Sequence, residues 1–182
     1  MPHTLAVIAG DGIGPEVVGE ALKVLDAVEA VHRPGVIVEQ LPWGAEHYLK
    51  PGITIPPGEM HRLGRDVSAI LVGALGDARV PDNVHARDIL LGMRFQLDLY
   101  VNERPARLFD DRLTPLKGKT VRDFDLMVFR ENTEGLYVSV GGAFKVGTPD
   151  EITIAEELNT RKGVERIIRH AFAWARAHGK TR

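Results

Sequence analysis

The chain has 182 residues, room for one ordinary domain or for parts of two. Its net charge of -2 excludes a bulk basic nucleic-acid binder and an acidic disordered tail, so any recognition of ions must come from local clusters. Having 0 cysteines, it has no disulfide scaffold, no thiolate-ligated zinc, no iron–sulfur cluster and no thiol nucleophile.

Met1-Pro2-His3-Thr4 lacks the basic and long apolar stretches of a signal peptide, and the longest apolar runs are far too short to span a bilayer. The chain therefore reads as cytoplasmic, with no membrane or nucleic-acid partner. Leu5-Ala6-Val7-Ile8-Ala9 is an unbroken apolar run, as in a parallel strand buried on both faces. The turn Gly10-Asp11-Gly12-Ile13-Gly14 leads to Pro15 and Glu16, which suit the first turn of a helix. Val18, Ala21, Leu22, Leu25 and Val28 then recur at helical spacing until Pro34-Gly35 breaks the chain. Val36-Ile37-Val38 is a second strand, completing a β-α-β unit and predicting an α/β fold on a parallel sheet. A Pro/Gly-rich loop from Pro51 leads to a short helix over Glu59–Leu63, and Ala69–Val72 is a third buried strand. Gly73-Ala74-Leu75-Gly76-Asp77 follows it, at the strand end where open α/β sheets bind ligands.

Asp88 to Leu97 is predicted helical, and Leu99–Glu103 extended ahead of Pro105. The polar stretch from Asp110 to Lys119 reads as a loop between lobes. Leu126–Phe129 is a strand. Leu136–Val140, Ala143–Val146 and Ile152–Ala155 read as short alternating strands of a different style. Thr160 is an N-cap candidate for a last helix with an apolar stripe of Val164, Ile167, Ile168, Ala171, Phe172 and Ala175, closed by Gly179 at C′.

Three constellations carry chemistry. The glycine turn, with Glu39 ending the second strand, invites a dinucleotide fingerprint, but Pro15 stands where its third glycine belongs. A lone glycine turn of this kind is commonly just a tight turn. Arg94, Arg104 and Arg130 sit at the ends of elements or beside apolar strands, where guanidinium forks could converge on the carboxylates of a small polyanionic acid. A random trio would be solvated surface charge. In Arg130-Glu131-Asn132-Thr133-Glu134-Gly135-Leu136-Tyr137, the Tyr137 phenol can serve as a general acid beside a cation, the plainer alternative being a sheet-edge tyrosine. The seven histidines show no metal-ligand spacing and read as surface residues, His170 partly packed. There is no serine elbow and no P-loop.

Taken together, Gly10–Glu16, the run Leu90-Leu91-Gly92-Met93-Arg94 continuing to Pro105, and Arg130–Tyr137 form an ordered series covering nearly the whole chain. The series resembles the β-decarboxylating dehydrogenases, the isocitrate/isopropylmalate dehydrogenase family. Asn159-Thr160-Arg161 is also similar to that family. The resemblance implies an isopropylmalate dehydrogenase-like α/β architecture with a parallel or mixed sheet and two incomplete domains. Residues 1–99 would begin the cofactor-side domain. Residues 100–182 would begin a second, dimerisation domain whose β arm, 136–155, pairs with another subunit to give a homodimer.

The implied reaction is oxidation of a 2-hydroxy acid by NAD, with NADP an alternative, followed by decarboxylation assisted by Mg or Mn. Arg94, Arg104 and Arg130 would clamp the carboxylates, and Tyr137 would act in proton transfer. The cofactor is expected at Gly73, Ala74, Leu75, Gly76 and Asp88. The family does not use the common dinucleotide fold, which removes the objection from Pro15. Isocitrate enzymes place serine and asparagine where Asp88 and Leu90 stand, and homoisocitrate enzymes carry an extra arginine near Leu91. Leu90 and Leu91 would instead floor a pocket for the isopropyl group of 3-isopropylmalate, the leucine-biosynthesis substrate. Tartrate/D-malate enzymes, which also show paired leucines, remain the alternative, while Arg87 departs from the acidic residue of many isopropylmalate enzymes. Relatives of this kind are about twice as long and carry their catalytic lysine, metal-binding aspartates and adenosine loop beyond the equivalent of position 182. No metal ligand is therefore assigned here, and the chain reads as an N-terminal half, inactive alone. A non-catalytic binding or dimerisation module is the reading from another class.

Overall fold

The computed structural model describes residues 3–180. Met1, Pro2, Thr181 and Arg182, on which the reading of the two termini partly rests, lie outside the described residues. The chain divides into two compact units, Met1–Leu97 and Asp98–Arg182.

The first unit runs β1 (His3–Ile8), α1 (Gly14–His32), β2 (Val36–Leu41), α2 (Ala45–Tyr48), α3 (Glu59–Asp66), β3 (Ala69–Val72) and α4 (Val84–Gln96). The strands form a parallel sheet in the order β2-β1-β3, with Ala6 opposite both Glu39 and Ile70. The unbroken apolar run explains the central place of β1: Ala6, Val7 and Ile8 are wholly buried. Ala6 and Ile8 join Leu41, Trp43, Met60, Leu63, Ile89 and Met93 in the core.

α1 keeps Pro15 and Glu16 in its first turn and stops at Arg33, which takes a left-handed conformation. Glu29 closes that end by accepting from the N–H groups of Gly35 and Val36. The predicted stripe on α1 is only partly covered. Val18 is buried and Leu22 and Leu25 are half-buried, but Ala21 and Val28 are exposed. α3 runs three residues past its expected end. α4 starts at Val84, a turn earlier than Asp88, because the short turn Pro81–Asn83 feeds directly into it.

The second unit runs β4 (Val101–Arg107), β5 (Asp125–Glu131), β6 (Gly141–Phe144), β7 (Ile152–Ala155) and α5 (Arg161–Ala177). β4 and β5 pair antiparallel, as do β6 and β7. Two expectations are corrected here. The polar Asp110–Lys119 segment does not join lobes: it links β4 to β5 inside this unit. Leu136–Val140 is not a strand. Gly135 at φ 80 and Ser139 at φ 54 bend the chain around a single 3₁₀ turn, Leu136–Val138, so the antiparallel arm is confined to β6 and β7. Val146 also falls outside its expected strand, because Lys145 is left-handed.

Thr160 caps α5 by accepting from the Gly163 N–H. Gly179, at φ 64, ends it, with the Gly179 and Lys180 N–H groups returning to the carbonyls of Arg176 and Ala175. Along the predicted stripe Ile167, Ala171 and Ala175 are half-buried, and the helix meets β5 through Trp174 and His170 on Phe129. Phe172 stays 69% exposed, because a two-stranded ribbon is too narrow to cover the whole stripe.

Candidate active site

In the first unit the turn after β1 is built against the loop after β3. The Asp11 N–H donates to the Ala74 carbonyl at 2.7 Å, and the Gly73 N–H to the Ile8 carbonyl at 2.8 Å. Backbone meets backbone so closely that a Cβ on Gly10 would land on the Ala74 carbonyl, and one on Gly73 would land on the Ala9 carbonyl. These glycines therefore serve internal packing, which is the tight-turn reading of the motif.

Asp11 is buried at the centre of this turn. Its Oδ1 accepts from the Ala45 N–H at 2.6 Å, and its Oδ2 accepts from the Gly76 N–H at 2.9 Å. The Oδ2 also lies 2.7 Å from Nε2 of His85. Burial pushes the Asp11 carboxyl up, but these donors outweigh it and hold the carboxyl below its ordinary range. His85 is wholly buried, which corrects its reading as a surface residue; Asp11, far away in sequence, gives it a polar partner inside the core. Sequence reasoning missed this pair because nothing local marks it.

Of the expected cofactor and substrate positions in this unit, Gly73, Ala74, Leu75 and Gly76 form the loop just described. Asp88, Leu90, Leu91 and Arg94 lie half-buried on α4, flanking its buried face of His85, Ala86, Ile89 and Met93. Thr54 donates to Asp88 at 3.4 Å, and Arg87 lies 3.5 Å from the same carboxylate. Asp77 is held down to about 2 by Arg79, which donates to it from its side chain and its backbone N–H.

In the second unit the β4–β5 register puts Asn102 opposite Arg130. Arg104, two residues on, shares that face, and its Nε donates to Asn102 Oδ1 at 3.2 Å. The other face carries Glu103, Phe129 and Glu131 and meets α5, where His170 lies 2.9 Å from Glu103. The strand periodicity thus separates the two arginines from the helix. The turn at Gly135 returns Tyr137 to the strand end, and the Arg130 guanidinium stands 4.9 Å from the centre of the tyrosine ring. Arg130, Tyr137, Glu134, Glu157 and Asn159 line a cavity of about 390 Å³.

The loop between Arg130 and Tyr137 is fixed by its own carboxylates. Glu131 accepts from the N–H groups of Thr133 and Glu134, each at 2.8 Å, and from Arg166 at 2.7 Å. Burial raises the Glu131 carboxyl, but Arg166 and Thr133, with the backbone, bring it below its ordinary value. Glu134 accepts from the Thr160 backbone and hydroxyl, tying the loop to the start of α5. The structure thus brings Arg130, Tyr137 and, along the same ribbon face, Arg104 together in one unit, and sets Arg94 and the glycine loop in the other. Among the described residues no group of three or more His, Asp or Glu side chains is arranged to hold a metal ion.

This architecture, glycine turn packed on a β3 loop in one unit and an arginine–tyrosine ribbon in the other, is that of a β-decarboxylating dehydrogenase fold. The chain belongs to the isocitrate/isopropylmalate dehydrogenase family, which matches residues 4–182. It is 49% identical over 176 residues to a 3-isopropylmalate dehydrogenase of Nocardia farcinica, covering 97% of this chain and 50% of that protein. It is 47% identical over 171 residues to one from Thermobifida fusca, covering 94% and 48%. The isocitrate dehydrogenase of Methylococcus capsulatus superposes with a TM-score of 0.72 at 32% identity, over 98% of this chain and 49% of that one. The chain thus spans about half the length of the relatives it matches. Among the described residues no helix is long and apolar enough to cross a membrane.

Proposed function

We propose that this chain supplies the N-terminal part of an enzyme that oxidatively decarboxylates 3-isopropylmalate with NAD. The observation that carries the reading is the Arg130 guanidinium over the Tyr137 ring on the ribbon face that also bears Arg104. Arg104 and Arg130, with Arg94 on α4, bind the substrate carboxylates. Tyr137 delivers a proton to the carbon that loses carbon dioxide, and the cation over its ring offsets the negative charge left on the phenol oxygen. Leu90 and Leu91, half-buried on the flank of α4, receive the isopropyl group. The loop Gly73–Asp77, with Asp88, contacts the dinucleotide, which accepts the hydride when bound. The described residues do not fit a divalent metal, so Mg or Mn enters no step assigned to this chain.

The relatives named for 3-isopropylmalate support that substrate over isocitrate and over tartrate or D-malate. The test joins this chain to the C-terminal half of the Nocardia farcinica relative and follows NADH formation with Mg²⁺ or Mn²⁺. Turnover of 3-isopropylmalate, and not of isocitrate or D-malate, is expected. The reverse preference rejects the substrate. The 182-residue chain alone is expected to show no turnover. In the joined enzyme Tyr137→Phe should lower kcat by about a hundredfold or more with KM little changed, the signature of a lost proton donor. Arg130→Lys, which keeps the charge but not the fork, should raise KM as well.

A second reading, pairing of two copies through the β6–β7 hairpin, rests on the exposure of Phe144, Ile152 and Ile154. It is compatible with the first.

A further inference from the structure

Asp11 and His85 form a buried ionisable pair, and the chemistry proposed above makes no use of it. A buried carboxylate is costly unless donors surround it. Here its donors come from three separate places: Ala45 at the start of α2, Gly76 in the loop after β3, and His85 in the first turn of α4. The backbone makes room for this arrangement. A Cβ on Gly44 would sit 2.7 Å from the Asp11 Oδ1, and Gly10, Gly14 and Gly73 likewise have no space for one.

His85 adds a second observation. Its Nδ1 is buried with no hydrogen-bond partner, and its ring stacks on Tyr48 with centroids 6.1 Å apart. Facing an ionised Asp11, the Nε2 is the ring nitrogen that donates, and the Nδ1 makes no bond to stabilise the ring in its place. A leucine would fill this space without an orphaned polar atom, so the histidine is explained by its bond to Asp11 rather than by packing.

The bonds that tie the loop after β3 to the rest of its unit include Gly73 N–H to the Ile8 carbonyl, Asp11 N–H to the Ala74 carbonyl, Gly76 N–H to Asp11, and Asp77 N–H to Asn83. Of these, the bond to Asp11 is made by an ionised side chain, and His85 holds the oxygen that makes it. We propose that Asp11 and His85 are positioning residues for the dinucleotide, setting the backbone of Gly73–Asp77 in its binding conformation. The proposal rests on the reading that this loop contacts NAD.

The test uses the joined enzyme described above, with this chain's amides labelled with ¹⁵N and the enzyme titrated with NAD. In the wild-type enzyme the amides of 73–77 should shift on titration. His85→Gln, which keeps an N–H near the Nε2 position, should bind like wild type. His85→Leu and Asp11→Asn should bind about tenfold more weakly, with hydrogen exchange faster at Gly76 and unchanged in β1. NAD binding by His85→Leu equal to wild type overturns the positioning role and leaves the cofactor reading standing. Loss of β1 protection in His85→Leu also overturns it, by showing a folding role. If NAD leaves 73–77 unmoved in the wild-type enzyme, the cofactor reading fails and the proposal with it. Should Asp11→Asn not fold, the Gln and Leu variants of His85 decide.

Discussion

Single residues in this chain are constrained more by backbone approach than by their own chemistry. Gly73 and Gly19 make the contrast. A Cβ at Gly73 would strike the Ala9 carbonyl, and Val18 Cγ2 would lie 2.9 Å away. Neither neighbour can retreat, because one is the main chain following β1 and the other is buried on α1. Gly73→Ala should cost about 3 kcal/mol, read as a lower urea midpoint. Gly19 lies inside α1 with open space around its missing Cβ, so Gly19→Ala should stabilise by about 0.5–1 kcal/mol in the same titration. Sequence alone cannot separate these two glycines, since the difference lies in what the fold brings alongside. The same holds for His85, whose partner is 74 positions away. Arg130 and Tyr137 were legible because a single turn at Gly135 returns one to the other.

Among elements, the loop after β5 and the start of α5 act as one piece. Arg166 donates to Glu131 at 2.7 Å and to Asp98 at 2.9 Å, and stands 4.4 Å from the Tyr100 ring. Glu131 has its folded pKa lowered below 4.5. It therefore adds stability that is complete above that value and disappears as pH falls through the lower folded pKa. Arg166→Met removes a principal cause of the lowering, so the variant should be less stable at neutral pH and lose less on acidification. Trp174 fluorescence in a Trp43→Phe background reads this unit, since the chain has 2 tryptophans and Trp43 lies in the other. A pH slope unchanged by Arg166→Met would show that the Thr133 hydroxyl and the backbone donors suffice to depress Glu131. Helical spacing foretold α1 and α5, and continuous apolar runs foretold β1, β3 and β5, where local pattern and tertiary contact agree. The strand alternation read over Leu136–Val140 failed, because it is overridden by positive-φ backbone at Gly135 and Ser139.

For the whole molecule, the family was legible because its motifs are spread over both units, so order along the chain carried information that no single motif held. The division at Leu97 was less legible, because no proline or glycine marks it and α4 runs up to it. What covers the β6–β7 hairpin depends on contacts outside one chain. Phe144 lies opposite Ile152, and Ile154 opposite Gly142, so the three apolar side chains share one face and each is more than half exposed. A lone two-stranded hairpin is marginal in water, and a second copy laying the same face on this one would bury it symmetrically. Removing a buried isoleucine contact costs about 2 kcal/mol, and a two-fold interface counts it twice, or about 4 kcal/mol. Ile154→Lys should therefore raise the dimer Kd roughly a thousandfold, seen by sedimentation velocity across a dilution series. Wild-type chain that sediments as a monomer at every concentration would remove the hairpin as a self-association surface. A dimer unaffected by Ile154→Lys would place the contact elsewhere.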